Sequence, residues 1–258
     1  MAAEGGSSFN VAAESYDRFM GRYSSLLAPQ MADLARVAAG QRVVDVGCGP
    51  GALTTVLVDR VGAPNVAAAE PSAPFVAAIR RRLPGVDVRR AAAEELPFDD
   101  DLFDAAIAQL VVHFMADPIK GIGEMARVTR RGGLVVAAVW DHNGGRGPVS
   151  LFWEAARSLD PGATNESGLA GARRGHLAEL FERAGLDDVE AGELMVRREH
   201  PTFEDWWEPY MAGVGPAGAY TANLDPAARD RLRDRCRQLL PTAPFTLESV
   251  AWTARGTA

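Results

Sequence analysis

The stretch Arg42-Val43-Val44-Asp45-Val46-Gly47-Cys48-Gly49-Pro50-Gly51-Ala52-Leu53 gathers an acid, a thiol and glycines at alternate positions 47, 49 and 51. Glycines so spaced let a ligand lie against bare backbone. Leu53, Thr54, Val56 and Leu57 recur at helical intervals behind them, so the unpaired N–H groups of a helix start would face that ligand. Val43, Val44 and Val46 ahead of the turn predict a buried strand. The unit reads as strand, turn, helix, and the chemistry it offers is the binding of a nucleoside cofactor.

Two cofactor classes compete for such a turn. Gly47, Gly49 and Ala52 satisfy the dinucleotide spacing G-x-G-x-x-G/A. Asp45 argues the other way, because a carboxylate at the mouth of the loop repels a pyrophosphate and attracts an ammonium beside a sulfonium. Pro50-Gly51 also stands where a dinucleotide loop needs no proline. These residues favour S-adenosylmethionine. A second acid, Glu70, with Pro71 behind it, closes the next apolar run at residues 65–69. It falls roughly 20 residues past the last glycine, the interval at which doubly wound folds bring a carboxylate to ribose hydroxyls.

Val43-Val44-Asp45-Val46-Gly47-Cys48-Gly49-Pro50-Gly51 resembles motif I of the class I S-adenosylmethionine-dependent methyltransferases. Residues 40–140 are similar to the small-molecule branch that holds the type 11 and quinone C-methyltransferase groups. The resemblance implies an α/β fold: a Rossmann-like, doubly wound seven-stranded sheet, mostly parallel with an antiparallel edge strand, plus a helical lid insertion. It implies S-adenosyl-L-methionine as cofactor and S-adenosyl-L-homocysteine as product, held by Asp45, Gly47, Cys48, Gly49, Gly51, Glu70, Pro71 and Gln109. Residues 9–23, with the run Tyr16-Asp17-Arg18-Phe19-Met20-Gly21-Arg22, are similar to a family segment that folds over the cofactor. Tyr16, Met20 and Arg22 thereby become candidates, and Tyr16 can offer a π face to the sulfonium; gluing a terminal helix to the body is the alternative. Ala91-Ala92-Ala93-Glu94-Glu95-Leu96-Pro97-Phe98 is similar to the family's adenine-side segment Gly-Asp-Ala-Glu-x-Leu-Pro-Phe. The family's Asp falls on Ala92 here, so the adenine contact passes to Glu94, to the backbone at Ala93, or is missing.

The elements that must carry these residues follow from periodicity. A short helix broken at Gly21 precedes a second one from about Ser25 to Gly40, with Leu27, Met31 and Leu34 inward. Apolar runs at 86–90, 103–108 and 134–140 alternate with helices, the one after Asp117-Pro118 stopping at Gly132-Gly133. Such alternation predicts a parallel sheet with right-handed crossovers. The fourth strand then delivers Gln109, Leu110 and His113 to the carboxyl edge, where open α/β sheets bind ligands. Residues 161–175 read as a mobile small-residue connector, Arg80, Arg81 and Arg82 as a solvated helix end, and 189–198 and 246–255 as the last strands. The organisation is a helical cover at 1–40, a core at 41–200 and 245–258, and a lid insertion at 201–244. Trp206, Trp207 and Tyr210 in that insertion, with Trp140 ending the fifth strand, are candidates for an apolar acceptor pocket. Ordinary core packing is the competing reading.

Methyl transfer from a sulfonium depends on alignment more than on covalent help. His113 is the candidate general base, with pocket lining as its alternative; His142 and His200 follow, then His176. Cys48 has no base spaced to activate it and reads as packing. The four histidines and two cysteines show no metal-ligand spacing, and no metal is expected. A length of 258 residues, 47% hydrophobic and 24% charged, suits one globular domain with an elaboration, or at most two. A net charge of −7 disfavours nucleic acid as partner. Without a disulfide framework, a leader-like start or a bilayer-length apolar run, a cytoplasmic protein off the membrane is expected, monomer or homodimer, with a small-molecule acceptor. The function expected is methyl transfer to O, N or C of a small, partly aromatic or apolar metabolite. An NAD(P)-dependent oxidoreductase and a non-catalytic S-adenosylmethionine-binding protein are the alternatives.

Overall fold

A computed structural model describes residues 13–258 of the chain, so the part of the expected cover before Ala13 lies outside the described residues. Helix α1 (Ala13–Tyr16) passes through a π turn at Asp17–Gly21 directly into α2 (Arg22–Leu34). The break expected at Gly21 is absent because its backbone stays right-handed, at φ −57° and ψ −34°, and the wider turn absorbs it. Helix α2 also ends at Leu34, short of the expected Gly40, with Leu27 and Met31 fully buried.

From there strand and helix alternate: β1 (Val43–Val46), α3 (Ala52–Val61), β2 (Val66–Ala69), α4 (Ala73–Arg82), β3 (Asp87–Arg89), β4 (Phe103–Gln109), α5 (Pro118–Val128) and β5 (Thr129–Trp140). After α6 (Ser150–Leu159) and α7 (His176–Arg183) come β6 (Asp187–His200), the helices α8 (Phe203–Trp207), α9 (Gly215–Asn223) and α10 (Pro226–Leu239), and finally β7 (Phe245–Thr257). The seven strands form one sheet in the order β3-β2-β1-β4-β5-β7-β6. All pairings from β3 to β5 are parallel, and β7 runs antiparallel to both β5 and β6, one place in from the edge. The chain steps outward from β1 to β3 and then returns to the other side of β1 as β4. That reversal opens a crevice beyond the carboxyl ends of β1 and β4, where ligands bind in folds of this kind.

Asp117 caps α5 by accepting from the Lys120 N–H at 3.1 Å. Asp117→Ala is expected to cost about 1 kcal/mol, read as a lower urea midpoint with unchanged slope. The Gly132-Gly133 pair does not stop α5, which ends at Val128; both glycines lie within β5. A Cβ on Gly133 would come within 2.7 Å of the Asp104 carbonyl, so glycine there lets β5 close up against β4.

The insertion between β6 and β7 packs against α6. Tyr210 stacks on Phe152 with centroids 4.5 Å apart and meets Trp206 at 4.9 Å, and Trp207 joins the same buried cluster. Burying these rings gives the insertion a core of its own, which is where their size is most useful. Among the described residues no helix is long and apolar enough to cross a membrane.

Candidate active site

The turn after β1 is held from below. The N–H groups of Gly47 and Cys48 both donate to the Ala69 carbonyl, at 2.8 and 3.1 Å, and Gly51 N–H donates to the Cys48 carbonyl at 3.0 Å. Gly47, Gly49 and Gly51 have φ of 71°, 54° and 103°, a region that side chains other than glycine's rarely enter. A Cβ on Gly49 would meet nothing within 4 Å, so the backbone there faces open space. Glu70 sits beneath: its Oε2 accepts from Gly49 N–H at 2.9 Å and its Oε1 from Ser72 N–H at 2.8 Å. Each oxygen keeps a further acceptor site, which fits the paired hydroxyls of a ribose. Burial raises its pKa, and the two N–H groups oppose that shift.

Asp45 lies elsewhere than the charge argument placed it. It is 1% exposed, its Oδ2 takes the Thr54 hydroxyl at 2.6 Å, and burial pushes its carboxyl up to about 7. The reason is topological: β1 is a central strand covered on both faces, so the side chain braces β1 to α3 instead of standing at the mouth. Cys48 is also buried, and desolvation holds its thiol well above the ordinary range, which makes it a packing group.

The remaining cofactor candidates separate. Gln109 ends β4 with its Nε2 on the Ser24 carbonyl at 3.1 Å, while its Oε1 is buried with no partner among the described residues. An ammonium group would satisfy that orphan acceptor. Ala93 is buried, and Glu94 spends its Oε1 on the N–H groups of Ala116 and Asp117, at 2.7 and 3.2 Å, ahead of α5. Pro71 is exposed, and its carbonyl accepts from Arg90. Tyr16 and Met20 reach the cavity beside the turn. Arg22 turns to the insertion instead, with Nη1 on Asp205 Oδ2 at 2.8 Å and Nη2 on the Asp205 carbonyl at 2.7 Å. Arg82 is more than a solvated helix end: it pairs with Asp17 at 2.6 Å and donates to the Pro50 carbonyl at 3.2 Å, tying the N-terminal helices to the glycine turn.

A cavity of about 40 Å³ opens at this edge of the sheet. His113 and Trp140 reach it, together with His142, whose ring centroid lies 5.6 Å from that of His113. Both imidazoles are more than nine-tenths buried, and His113 Nδ1 and His142 Nε2 have no partner among the described residues. Burial drives both pKa values down, that of His142 to about 4, and each ring is therefore neutral and able to accept a hydrogen bond. Trp206, Trp207 and Tyr210 do not line this cavity. The insertion's share of the wall is the segment Val214, Gly215, Pro216 and Ala217. His200 is tied to Tyr23 and Asp205, at 3.1 and 2.8 Å, and His176 Nδ1 accepts from Gly171 N–H at 3.2 Å. Glu166, an ionisable member of the cavity wall, had no sequence signal: it comes from the 161–175 connector, where nothing in spacing or composition distinguishes it.

Comparison with known proteins places this geometry. A methyltransferase domain family matches residues 44–137, from β1 to within β5. An uncharacterized methyltransferase of Mycobacterium tuberculosis is 37% identical over 248 residues, spanning 94% of this chain and 89% of that protein. A demethylmenaquinone methyltransferase of Clavibacter sepedonicus is 34% identical over 139 residues, 50% of this chain and 54% of that protein. Among solved structures, geranyl diphosphate C-methyltransferase of Streptomyces coelicolor shares the fold at a TM-score of 0.55 and 16% identity, covering 92% of this chain and 80% of that one. The dinucleotide reading of the glycine turn is thereby set aside. The chain belongs to the class I S-adenosylmethionine-dependent methyltransferases, and S-adenosylmethionine, leaving as S-adenosylhomocysteine, is its cofactor.

Proposed function

We propose that this enzyme transfers the methyl group to O, N or C of a small, partly aromatic or apolar metabolite held in the cavity beside the glycine turn. The observation that carries this reading is the cavity wall, in which Phe19, Phe114, Trp140 and Val214 surround a pair of neutral imidazoles. When bound, S-adenosylmethionine supplies a methyl already activated by its sulfonium. Glu70 and the backbone at Gly49 would hold the nucleoside, Gln109 Oε1 would accept from the ammonium, and Tyr16 and Met20 line the adjoining cavity. His113, through Nδ1, takes the acceptor's proton where one is lost, a contribution worth about 100-fold or more. The apolar walls exclude water and align the acceptor.

The cavity is far smaller than the roughly 300 Å³ at which ligand pockets begin. Admission of an acceptor therefore needs a moving wall, and residues 214–217 are suited to it. Gly213 precedes the segment and Gly215 lies within it, at φ 69° and 62°, and the conformational freedom of glycine suits a hinge there. In this reading the N-terminal helices form the cover, 201–244 the lid and the sheet with its helices the core. The buried, unpaired thiols of Cys48 and Cys236 support a reducing cytoplasmic setting, and the net charge supports a partner other than nucleic acid.

Calorimetry with S-adenosylhomocysteine, followed by transfer of labelled methyl to a panel of phenols, hydroquinones and amines, tests the reading. Similarity to a demethylmenaquinone methyltransferase supports placing hydroquinones in the panel. Tight cofactor binding with no acceptor methylated would leave a non-catalytic binding protein.

A further inference from the structure

Glu166 is 7% exposed and reaches the same cavity as the two imidazoles. Its backbone is set by a tight turn. Asn165 Oδ1 accepts from the Ser167 N–H at 3.3 Å and from the Ser167 hydroxyl at 2.7 Å, and the Glu166 carbonyl accepts from Leu169 N–H at 3.1 Å. Its side chain is set by Trp153, whose indole N–H donates to Oε2 at 2.5 Å. Oε1 has no hydrogen-bond partner among the described residues. A buried acid placed by two such constraints and left with one oxygen open to a cavity is built to meet a ligand.

We propose that Glu166 selects the acceptor: its Oε1–H donates a hydrogen bond to an oxygen of an uncharged, hydroxylated aromatic molecule whose own hydroxyl is met by His113 and His142. This rests on the methyl-transfer reading above and narrows its acceptor class to phenol-like compounds. Three observations support it. Among the described residues no Lys or Arg lines the cavity, so an anionic acceptor would face an acid with no counter-charge. The groups that face Glu166 are His113, His142 and Tyr16 across the cavity, Trp153 from α6, and Tyr210 from the insertion, none of them a cation at neutral pH. Burial pushes the Glu166 carboxyl up to about 7, with only the Trp153 bond opposing, so near and below neutrality the wall offers one O–H donor and two imidazole acceptors. An uncharged molecule with a hydroxyl and a second oxygen is the complement of that wall.

The test uses the full chain with S-adenosylhomocysteine bound and takes 2,7-dihydroxynaphthalene as probe, against 2-naphthoate and 2-naphthylmethylammonium. Calorimetry at pH 6.5 is expected to show the diol bound at least about 10-fold more tightly than either charged analogue. A carboxyl titrating near 7 is about one-tenth protonated at pH 8, so diol binding by the wild type is expected to weaken about 5- to 10-fold from pH 6.5 to 8. Phenolic hydroxyls ionise near about 10, so the probe itself does not titrate in that range. Glu166→Gln, a permanent donor, is expected to bind the diol within about 3-fold of wild type at pH 6.5 and to lose the pH dependence; Glu166→Ala is expected to bind it weakly at both pH values. Thermal unfolding without any ligand supplies a second readout. A carboxyl whose folded pKa is raised stabilises the fold below its unfolded value, and that contribution is lost as pH rises through the folded value. The Tm of Glu166→Gln relative to wild type is therefore expected to rise by about 4 °C or more between pH 5 and 8. Tighter binding of the ammonium than of the diol, or an identical pH profile in wild type and Glu166→Gln, would overturn the proposal. Absence of S-adenosylhomocysteine binding would instead remove the reading beneath it.

Discussion

Glu70→Ala is expected to weaken S-adenosylhomocysteine binding about 100-fold by calorimetry, with little change in secondary structure. Its two oxygens accept from the N–H groups of Gly49 and Ser72, and in the proposed reading their remaining acceptor sites take the ribose hydroxyls. A hydrogen bond to a charged acceptor contributes about 1.5–3 kcal/mol, and the alanine variant loses the ribose contacts while leaving a glycine turn that is no longer pinned. A loss of about 3 kcal/mol converts to the stated factor. Glu70→Gln is not a neutral control. An amide has one acceptor oxygen and one donor nitrogen, so its NH₂ must oppose either the Gly49 or the Ser72 N–H; an affinity loss of about 10-fold or more is expected from it. Because burial raises the pKa of Glu70, wild-type affinity should fall as the medium is acidified through that pKa. The glutamine variant should show no such limb. Undiminished binding by Glu70→Ala would show that the nucleoside is held elsewhere.

Gly47→Ala should destabilise the protein by about 3 kcal/mol in urea denaturation. Two costs combine. At φ 71° an L-residue pays about 1–2 kcal/mol for the left-handed backbone alone. The added Cβ would also stand 2.5 Å from both methyl carbons of Val111, a contact that requires something to move. Overpacking of this kind typically adds about 1–3 kcal/mol. Val111 is two residues from His113, so the displaced segment is the one that carries the candidate base, and methyl transfer should fall along with stability. The two costs separate in a double-mutant cycle. Val111→Ala in the Gly47→Ala background is expected to recover the steric part and leave the backbone part, a coupling of about 1 kcal/mol or more. Additive effects of the two changes would mean that the turn and the histidine segment do not lean on one another.

Local signals in the chain were legible because the physics behind them is local. Valines, alternate glycines and a helical repeat specify strand, turn and helix within a dozen residues, and residues 43–61 adopt that structure. The interval to Glu70 was legible too, since a strand, a turn and a helix of ordinary length leave the acid at the next strand's end. Capping by Asp117 could be read from the Asp-Pro pair alone. Where the reading failed, a non-local contact had decided. Gly21 lies inside a continuous helix and Gly132-Gly133 inside a strand, because glycine permits a break but does not compel one. The aromatic residues of the insertion were legible as a cluster, but whether they face a ligand or each other depends on α6, whose Phe152 supplies the ring that Tyr210 stacks on.

The chain by itself determined the strand, the glycine turn with its open backbone at Gly49 and the helix behind it, because that unit is made from neighbouring residues whose conformational preferences suffice to shape it. Only the tertiary structure decided which way Asp45 faces, that Arg22 joins the insertion at Asp205, and that His113, His142 and Glu166 share one cavity. His113 comes from the connection after β4, and His142 and Glu166 from either side of α6 in the connection after β5; no spacing along the chain encodes a meeting that exists only once the strands are ordered side by side.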